Sequence, residues 1–151
     1  MTEDDIPAVL EILLEPAVAA WWGDNDADSV RQELDVSWAI LVDGEVAGIL
    51  LIHEETEPDY RHVAFDIAVA TRFHGTGLGR RALRTAIRDC VARGHHRFTI
   101  DPTVGNEAAI RCYASVGFKA VGIEREAERA PDGTWRDGLL MDLLAREFVD
   151  G

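Results

Sequence analysis

The sequence predicts one α/β domain, residues 1–151, built on a mixed, mostly antiparallel sheet flanked by helices. Three observations carry that prediction. An apolar run, Phe65 to Val69, leads through Gly75, Gly77 and Gly79 into a helical pattern, and a second β-rich run, His96 to Asp101, follows the helix. Strands joined by a helix lie parallel, because no tight hairpin connects them. On either side, Asp43-Gly44 and Pro131-Asp132-Gly133 separate β-rich runs and mark antiparallel hairpins.

Taken in order, Thr2 to Asp5 forms a capping box for a helix through Leu14, with Ile6, Val9, Leu10 and Leu13 at helical spacing. Pro16 breaks it, and a short helical turn carries Trp21 and Trp22 before an acidic loop, Asp24 to Asp28. A second helix is expected over about Asp28 to Asp35, strands over Trp38–Val42 and Val46–Ile52, and a polar loop over Glu54–Arg61. The central strand spans about 63–70, and the long helix about 77–93, with Leu78, Ala82, Leu83, Ala86, Ile87, Cys90 and Val91 on one stripe. Pro102 ends the next strand, and Asn106 caps a helix that Gly117 closes. Phe118 starts a long strand, and the last strand spans about Trp135 to Leu144. That hydrophobic last strand and the Trp135 hairpin offer a surface for pairing with a second copy.

The net charge of −13 is unevenly spread. Residues 1–66 hold 17 Asp and Glu against Arg31 and Arg61, whereas residues 72–93 hold Arg72, Arg80, Arg81, Arg84, Arg88 and Arg93 against Asp89. A basic island on the helix after the glycines suits a polyanionic cofactor, and the acidic remainder suits a cationic substrate. The acidic balance argues against nucleic acid. No stretch approaches the roughly 20 uncharged residues of a membrane span. The acidic N-terminus is unlike a secretory signal, and Cys90 and Cys112 read as reduced thiols, which together predict a cytoplasmic protein. No His/Cys/Asp cluster has metal-ligand spacing.

A strand that reaches a helix through glycines exposes the helix's first N–H groups at the positive end of its dipole, a seat for phosphate. A Walker loop is excluded because Arg80 and Arg81 follow Gly79 where Lys and Ser/Thr belong. A dinucleotide fingerprint is disfavoured by Arg80 in place of its third glycine, and by the absence of a second mononucleotide half. His74-Gly75-Thr76-Gly77-Leu78-Gly79 instead resembles the acyl-CoA loop of the GCN5-related N-acetyltransferase (GNAT) family, Gln/Arg-x-x-Gly-x-Gly/Ala, with His74 in the place of Gln or Arg. Asn106 to Phe118 resembles the family's Asn-x-x-Ala-x-x-x-Tyr-x-x-x-Gly-Phe element. The family usually has a strand before its first helix; here a helix comes first, so that edge strand is expected to be missing.

The resemblance implies a sheet whose central parallel pair splays around acetyl-CoA. It further implies that Ile67 and Val69 align the pantetheine arm, that an N–H near Val69 polarises the thioester, and that His74, Gly75, Thr76, Gly77, Gly79 and Arg80 hold the pyrophosphate. Asn106 would contact pantetheine, and Tyr113 would protonate the leaving thiolate. Asp101, at a strand end beside the crevice, is the candidate base, with Asp66, Glu54 and Glu55 next in line as acceptor-binding acids. Asp101-Pro-Thr-Val-Gly-Asn106 looks most like aminoglycoside 6′-N-acetyltransferases, and Trp21-Trp22-Gly23 resembles both these and acyltransferases of siderophore hydroxylamines, which implies Trp21 and Trp22 as substrate contacts. The alternatives are transfer to a siderophore hydroxylamine, a polyamine or a protein N-terminus, and a non-catalytic acyl-CoA-binding module.

Overall fold

The computed structural model describes residues 1–149. Its helices are α1 (Ile6–Leu13), α2 (Pro16–Trp22), α3 (Ala27–Gln32), α4 (Leu78–Ala92) and α5 (Glu107–Val116). Its strands are β1 (Ser37–Val42), β2 (Glu45–Glu55), β3 (His62–Val69), β4 (Arg97–Ile100), β5 (Lys119–Arg129) and β6 (Trp135–Leu144). They form one sheet in the order β1-β2-β3-β4-β6-β5, antiparallel throughout except for β3 beside β4. Among the described residues no strand precedes α1, so β1 is the sheet's edge.

Local chemistry explains most element ends. The Asp5 carboxylate accepts from the Thr2 N–H at 2.8 Å, and Pro7 and Pro16 sit in first turns, where a missing N–H costs nothing. The capping box adds a short 3₁₀ turn, Glu3–Asp5, ahead of α1. Asp26, rather than Asp28, caps α3, its carboxylate taking the Ser29 N–H at 2.8 Å.

The sheet separates two apolar layers. Ile49, Leu51 and Ala68 face α1–α3 with Val9, Leu13 and Val30, while Leu50, Ile52, Phe65 and Phe98 face α4 and α5 with Leu83, Ile87 and Val116. Strand β2 is therefore buried on both faces over Ala47–Ile52, which is why it reads as a continuous apolar run.

Two expectations are corrected here. Strand β2 continues through Glu54 and Glu55, which were expected in a loop, because both pair with β3 opposite Val63 and His62. The last strand, β6, lies between β4 and β5, so over Leu139–Leu144 its backbone edges are spent within the sheet, and the strand left at that edge is β5.

The functional geometry begins at one topological event. Strands β3 and β4 pair only at Val63–Phe98 and Ala64–Thr99. Beyond that point the chain after β4 stays with β6: the Pro102 carbonyl accepts from Leu139 N–H at 2.8 Å, and Thr103 bridges Gly138. Strand β3 continues with β2 on its other side, and a wedge forms between β3 and the chain after β4.

Candidate active site

The wedge is the mouth of a cleft of about 940 Å³. Ala70 N–H bonds β2 at Ala47 O (2.8 Å), so by strand alternation the amide groups of Ile67 and Val69 point the other way, into the wedge. Both residues line the cleft.

The loop after β3 folds back in tight turns, with Phe73 N–H on Ala70 O (2.9 Å) and His74 N–H on Thr71 O (3.0 Å). Gly75 and Gly77 follow at φ +76° and +83°, backbone angles that favour glycine. The first helical closure is Arg81 N–H to Gly77 O, 3.0 Å. Upstream of it, the N–H groups of Gly75, Gly77, Leu78, Gly79 and Arg80 have no protein acceptor among the described residues. Orphan donors at a helix start suit a phosphate group. At Gly79, an added Cβ would stand 3.6 Å from Cys112 Sγ and 3.8 Å from Val69 Cγ2, in ordinary contact with α5 and β3.

His74 lines the cleft, and its Nε2 lies 2.8 Å from the Val69 carbonyl. A carbonyl only accepts, so Nε2 carries the proton, and the imidazole pins the loop to the end of β3. Thr76 is turned away: its hydroxyl donates to Phe73 O at 2.6 Å, and the residue is not in the cleft wall. The basic island is divided in the same manner. Arg80 lines the cleft, whereas Arg81 donates to Thr76 O, Arg72 stacks on Phe73 and approaches Glu45, and Arg93 pairs with Asp89 and Glu54.

On α5, Asn106 Oδ1 accepts from Ala109 N–H at 3.4 Å, and both Asn106 and Tyr113 line the cleft. Tyr113 is buried, with its ring edge-on to Phe118. Its hydroxyl bonds none of the described residues. Burial raises the phenol's pKa, and the Cys112, Asp66 and Asp101 charges push it the same way, so Tyr113 stays a neutral proton donor.

Facing it are Asp101, just past β4, and Asp66 on β3, both in the cleft wall. Loss of water raises the Asp101 carboxyl to about 6, with Asp66, Glu124 and Glu128 adding to the effect. Asp66 is raised for the same first reason, although nearby His53 opposes it at 3.8 Å. Trp21 and Trp22 close this end of the cleft.

Glu54 and Glu55 do not reach it. Strand β2 is antiparallel to β3, so its C-terminal end lies beside the start of β3, while the cleft opens beside Val69, opposite Gly48. Glu54 instead bonds Arg93 and the buried His95, which hold its carboxyl below the usual range, and Glu55 accepts from Glu57 N–H. The residue missed from sequence is Glu128. A register shift between Glu124 and Glu128, with Glu126 at φ +50°, turns its side chain into the cleft wall. Bulged strands have no clear sequence signal, and Glu126 is not a glycine.

The sequence matches the acetyltransferase (GNAT) family over residues 6–118. The chain belongs to the GNAT family. It is similar to the aminoglycoside N(6′)-acetyltransferase type 1 of Klebsiella pneumoniae, 26% identical with 88% of this chain and 76% of that one covered. It is comparably similar to the [ribosomal protein bS18]-alanine N-acetyltransferase of Escherichia coli K12, 27% identical with 92% and 90% covered. Among solved structures, Mycobacterium smegmatis RimJ in complex with CoA-disulfide superposes at a TM-score of 0.85 and 24% identity, covering 100% of this chain and 82% of that one. YncA of Salmonella typhimurium with acetyl-CoA superposes at 0.76 and 24% identity, covering 100% and 94%.

This GNAT protein is an acetyl-CoA-dependent N-acetyltransferase with the GNAT fold. Its residues fit the cofactor on their own terms: five unpaired N–H donors and Arg80 for a diphosphate, and an open strand edge at Ile67 and Val69 for an amide-bearing arm. No helix among the described residues is long and apolar enough to cross a membrane.

Proposed function

We propose that this enzyme acetylates a primary amine of a small polycationic acceptor, with aminoglycosides as the favoured class and the 6′-amino group as the position modified. The observation that carries this reading is the composition of the acceptor end. Asp66, Asp101 and Glu128 line it together with Trp21 and Trp22. Several carboxylates bind several ammonium groups, and indole faces accept both cations and sugar-like rings. The relative that acts at an aminoglycoside N(6′) supports the same reading.

Bound acetyl-CoA supplies an acetyl thioester whose carbonyl carbon gains the amine nitrogen as its bond to sulfur breaks. In this proposal the Val69 N–H polarises that carbonyl, and Ile67 and Val69 align the arm. Asn106 contacts it through its free amide N–H, and the donors from Gly75 to Arg80, with His74 beside them, hold the diphosphate. Asp101 takes the proton that the ammonium must lose, directly or through water, and a carboxyl at about 6 is deprotonated at neutral pH while still basic enough to accept it. Tyr113 gives its proton to the departing sulfur and regains one from the nitrogen, which sheds its second proton as the amide forms. Asp66 orients the acceptor. A cytoplasmic setting, in which thiols such as Cys90 stay reduced, suits this reading.

A second reading is transfer to a protein N-terminus, favoured by the bS18-alanine relative. The two separate in a free-thiol assay with acetyl-CoA and kanamycin- or tobramycin-type amines, polyamines and peptides with N-terminal alanine. Turnover of aminoglycosides well above peptides is expected. Brisk turnover of alanine peptides with silence towards every aminoglycoside would replace the first reading with the second.

A further inference from the structure

Arg136 makes three contacts that join otherwise separate walls of the cleft. Its Nη1 donates to the Ala20 carbonyl on α2 at 2.9 Å, its Nη2 lies 2.9 Å from Glu128 Oε1 on β5, and its guanidinium covers the Trp21 ring at 5.3 Å. Helix α2 is seven residues long with Val18 as its buried residue, so its own packing holds it weakly. A carbonyl in its last turn lacks a helical partner, and Arg136 provides one. On the other side, Glu128 Oε1 also accepts from the hydroxyl of buried Thr103, two residues beyond Asp101. Arg136 Nε is buried without an acceptor, a cost the other contacts must outweigh. Only a planar fork serves a carbonyl, a carboxylate and an indole face together; an ammonium has no such geometry.

We propose that Arg136 is the positioning residue of the acceptor half of the cleft, clamping the Trp21–Trp22 wall onto the β5–β6 hairpin and holding Glu128 towards the acceptor. This rests on the acceptor end assigned above. The clamp has an electrostatic side. The charged groups facing Asp101 are Asp66 from β3 and Glu124 and Glu128 from β5, and Tyr113 from α5 is neutral. From β6, Arg136 pairs with Glu128 at 2.9 Å and offsets part of its charge. Removing its charge leaves Glu128 uncompensated and makes Asp101 keep its proton to higher pH.

The test uses the full chain with Arg136→Gln and Arg136→Lys. In Arg136→Gln, hydrogen exchange of the α2 amides accelerates and the acceptor KM rises, each by about tenfold, the equivalent of roughly one hydrogen bond to a charged group. The acid limb of kcat/KM moves to higher pH, while the acetyl-CoA Kd measured by calorimetry stays within about twofold, since the diphosphate seat is untouched. Arg136→Lys also loosens α2 but leaves the acid limb in place, because the charge remains. Unaltered α2 exchange in Arg136→Gln overturns the proposal, as does an acid limb that shifts equally in both variants. If no amine in the panel is acetylated, the acceptor reading fails, and the exchange measurement alone decides whether the clamp exists.

Discussion

Asp66 on β3 and Asp101 beyond β4 line the same cleft from opposite sides of the wedge, and the charge of Asp66 helps lift the Asp101 carboxyl to about 6. A base works only when deprotonated, so kcat/KM should fall as pH drops through about 6. Asp66→Asn removes one of the causes of the lift and should move that limb to lower pH. Asp101→Asn should abolish the limb and reduce kcat/KM by about 10²-fold or more. A limb that ignores Asp66→Asn would mean another group sets it.

Asp101 also bears on stability. Its folded pKa lies above the ordinary 3.8, so ionisation weakens the fold, and the penalty grows as pH rises from about 4 to about 6. Asp101→Asn should therefore melt higher than the parent at pH 7 and no higher at pH 4, as thermal denaturation at the two values would reveal.

Tyr113→Phe keeps the ring packed against Phe118 and deletes only the hydroxyl. The expected result is a fall in kcat of about 10²-fold with little change in acetyl-CoA affinity, since in the proposed mechanism the phenol acts on the leaving sulfur. Calorimetry beside steady-state kinetics separates the two effects. Lost binding with turnover intact in the bound fraction would refute the role assigned to Tyr113.

Gly77 sits at φ +83° just before α4, and an added Cβ would stand 3.4 Å from Arg81 Nη1. Gly77→Ala should cost about 1 kcal/mol in a left-handed backbone. Because Gly77 holds the α4 donors in line, acetyl-CoA binding should weaken more than stability does. Denaturant titration and calorimetry measure the two independently.

Glu54 separates a structural acid from a binding one. Its carboxylate serves Arg93 and buried His95, so Glu54→Gln should destabilise the fold by about 1–3 kcal/mol while leaving acceptor KM and acetyl-CoA Kd as they were. Because these partners hold the Glu54 pKa low, its stabilisation is present at neutral pH and is lost as pH falls through that lowered value. A raised acceptor KM in Glu54→Gln would return this residue to the cleft.

The parts legible in the sequence were those that local chemistry fixes. Gly75 and Gly77 announced a turn into α4, Asn106 a helix start, and the helix between β3 and β4 their parallel order. The residues placed wrongly depend on long-range register. Glu54 is adjacent in sequence to apolar β2 residues that cross beneath the cleft, and only the antiparallel pairing with β3 reveals that it leaves at the far end. Glu128 enters through an irregular stretch of β5, and Arg136 acquires its role from Ala20, 116 positions away. Thr76 lies inside the glycine motif, yet a local bond to Phe73 turns its hydroxyl away. Motif membership sets the backbone there, not the direction of each side chain.

The early parting of β3 from β4 leaves the middle of the sheet with a seam that protein atoms alone do not close. In the binding mode proposed above, a cosubstrate that hydrogen-bonds along the free side of β3 would serve as a surrogate strand. Folding strength then follows metabolic supply: at a hundred times its dissociation constant, such a ligand adds about 2.7 kcal/mol. Cells rich in activated acetate would thus hold a sturdier enzyme, and starved cells a more easily degraded one.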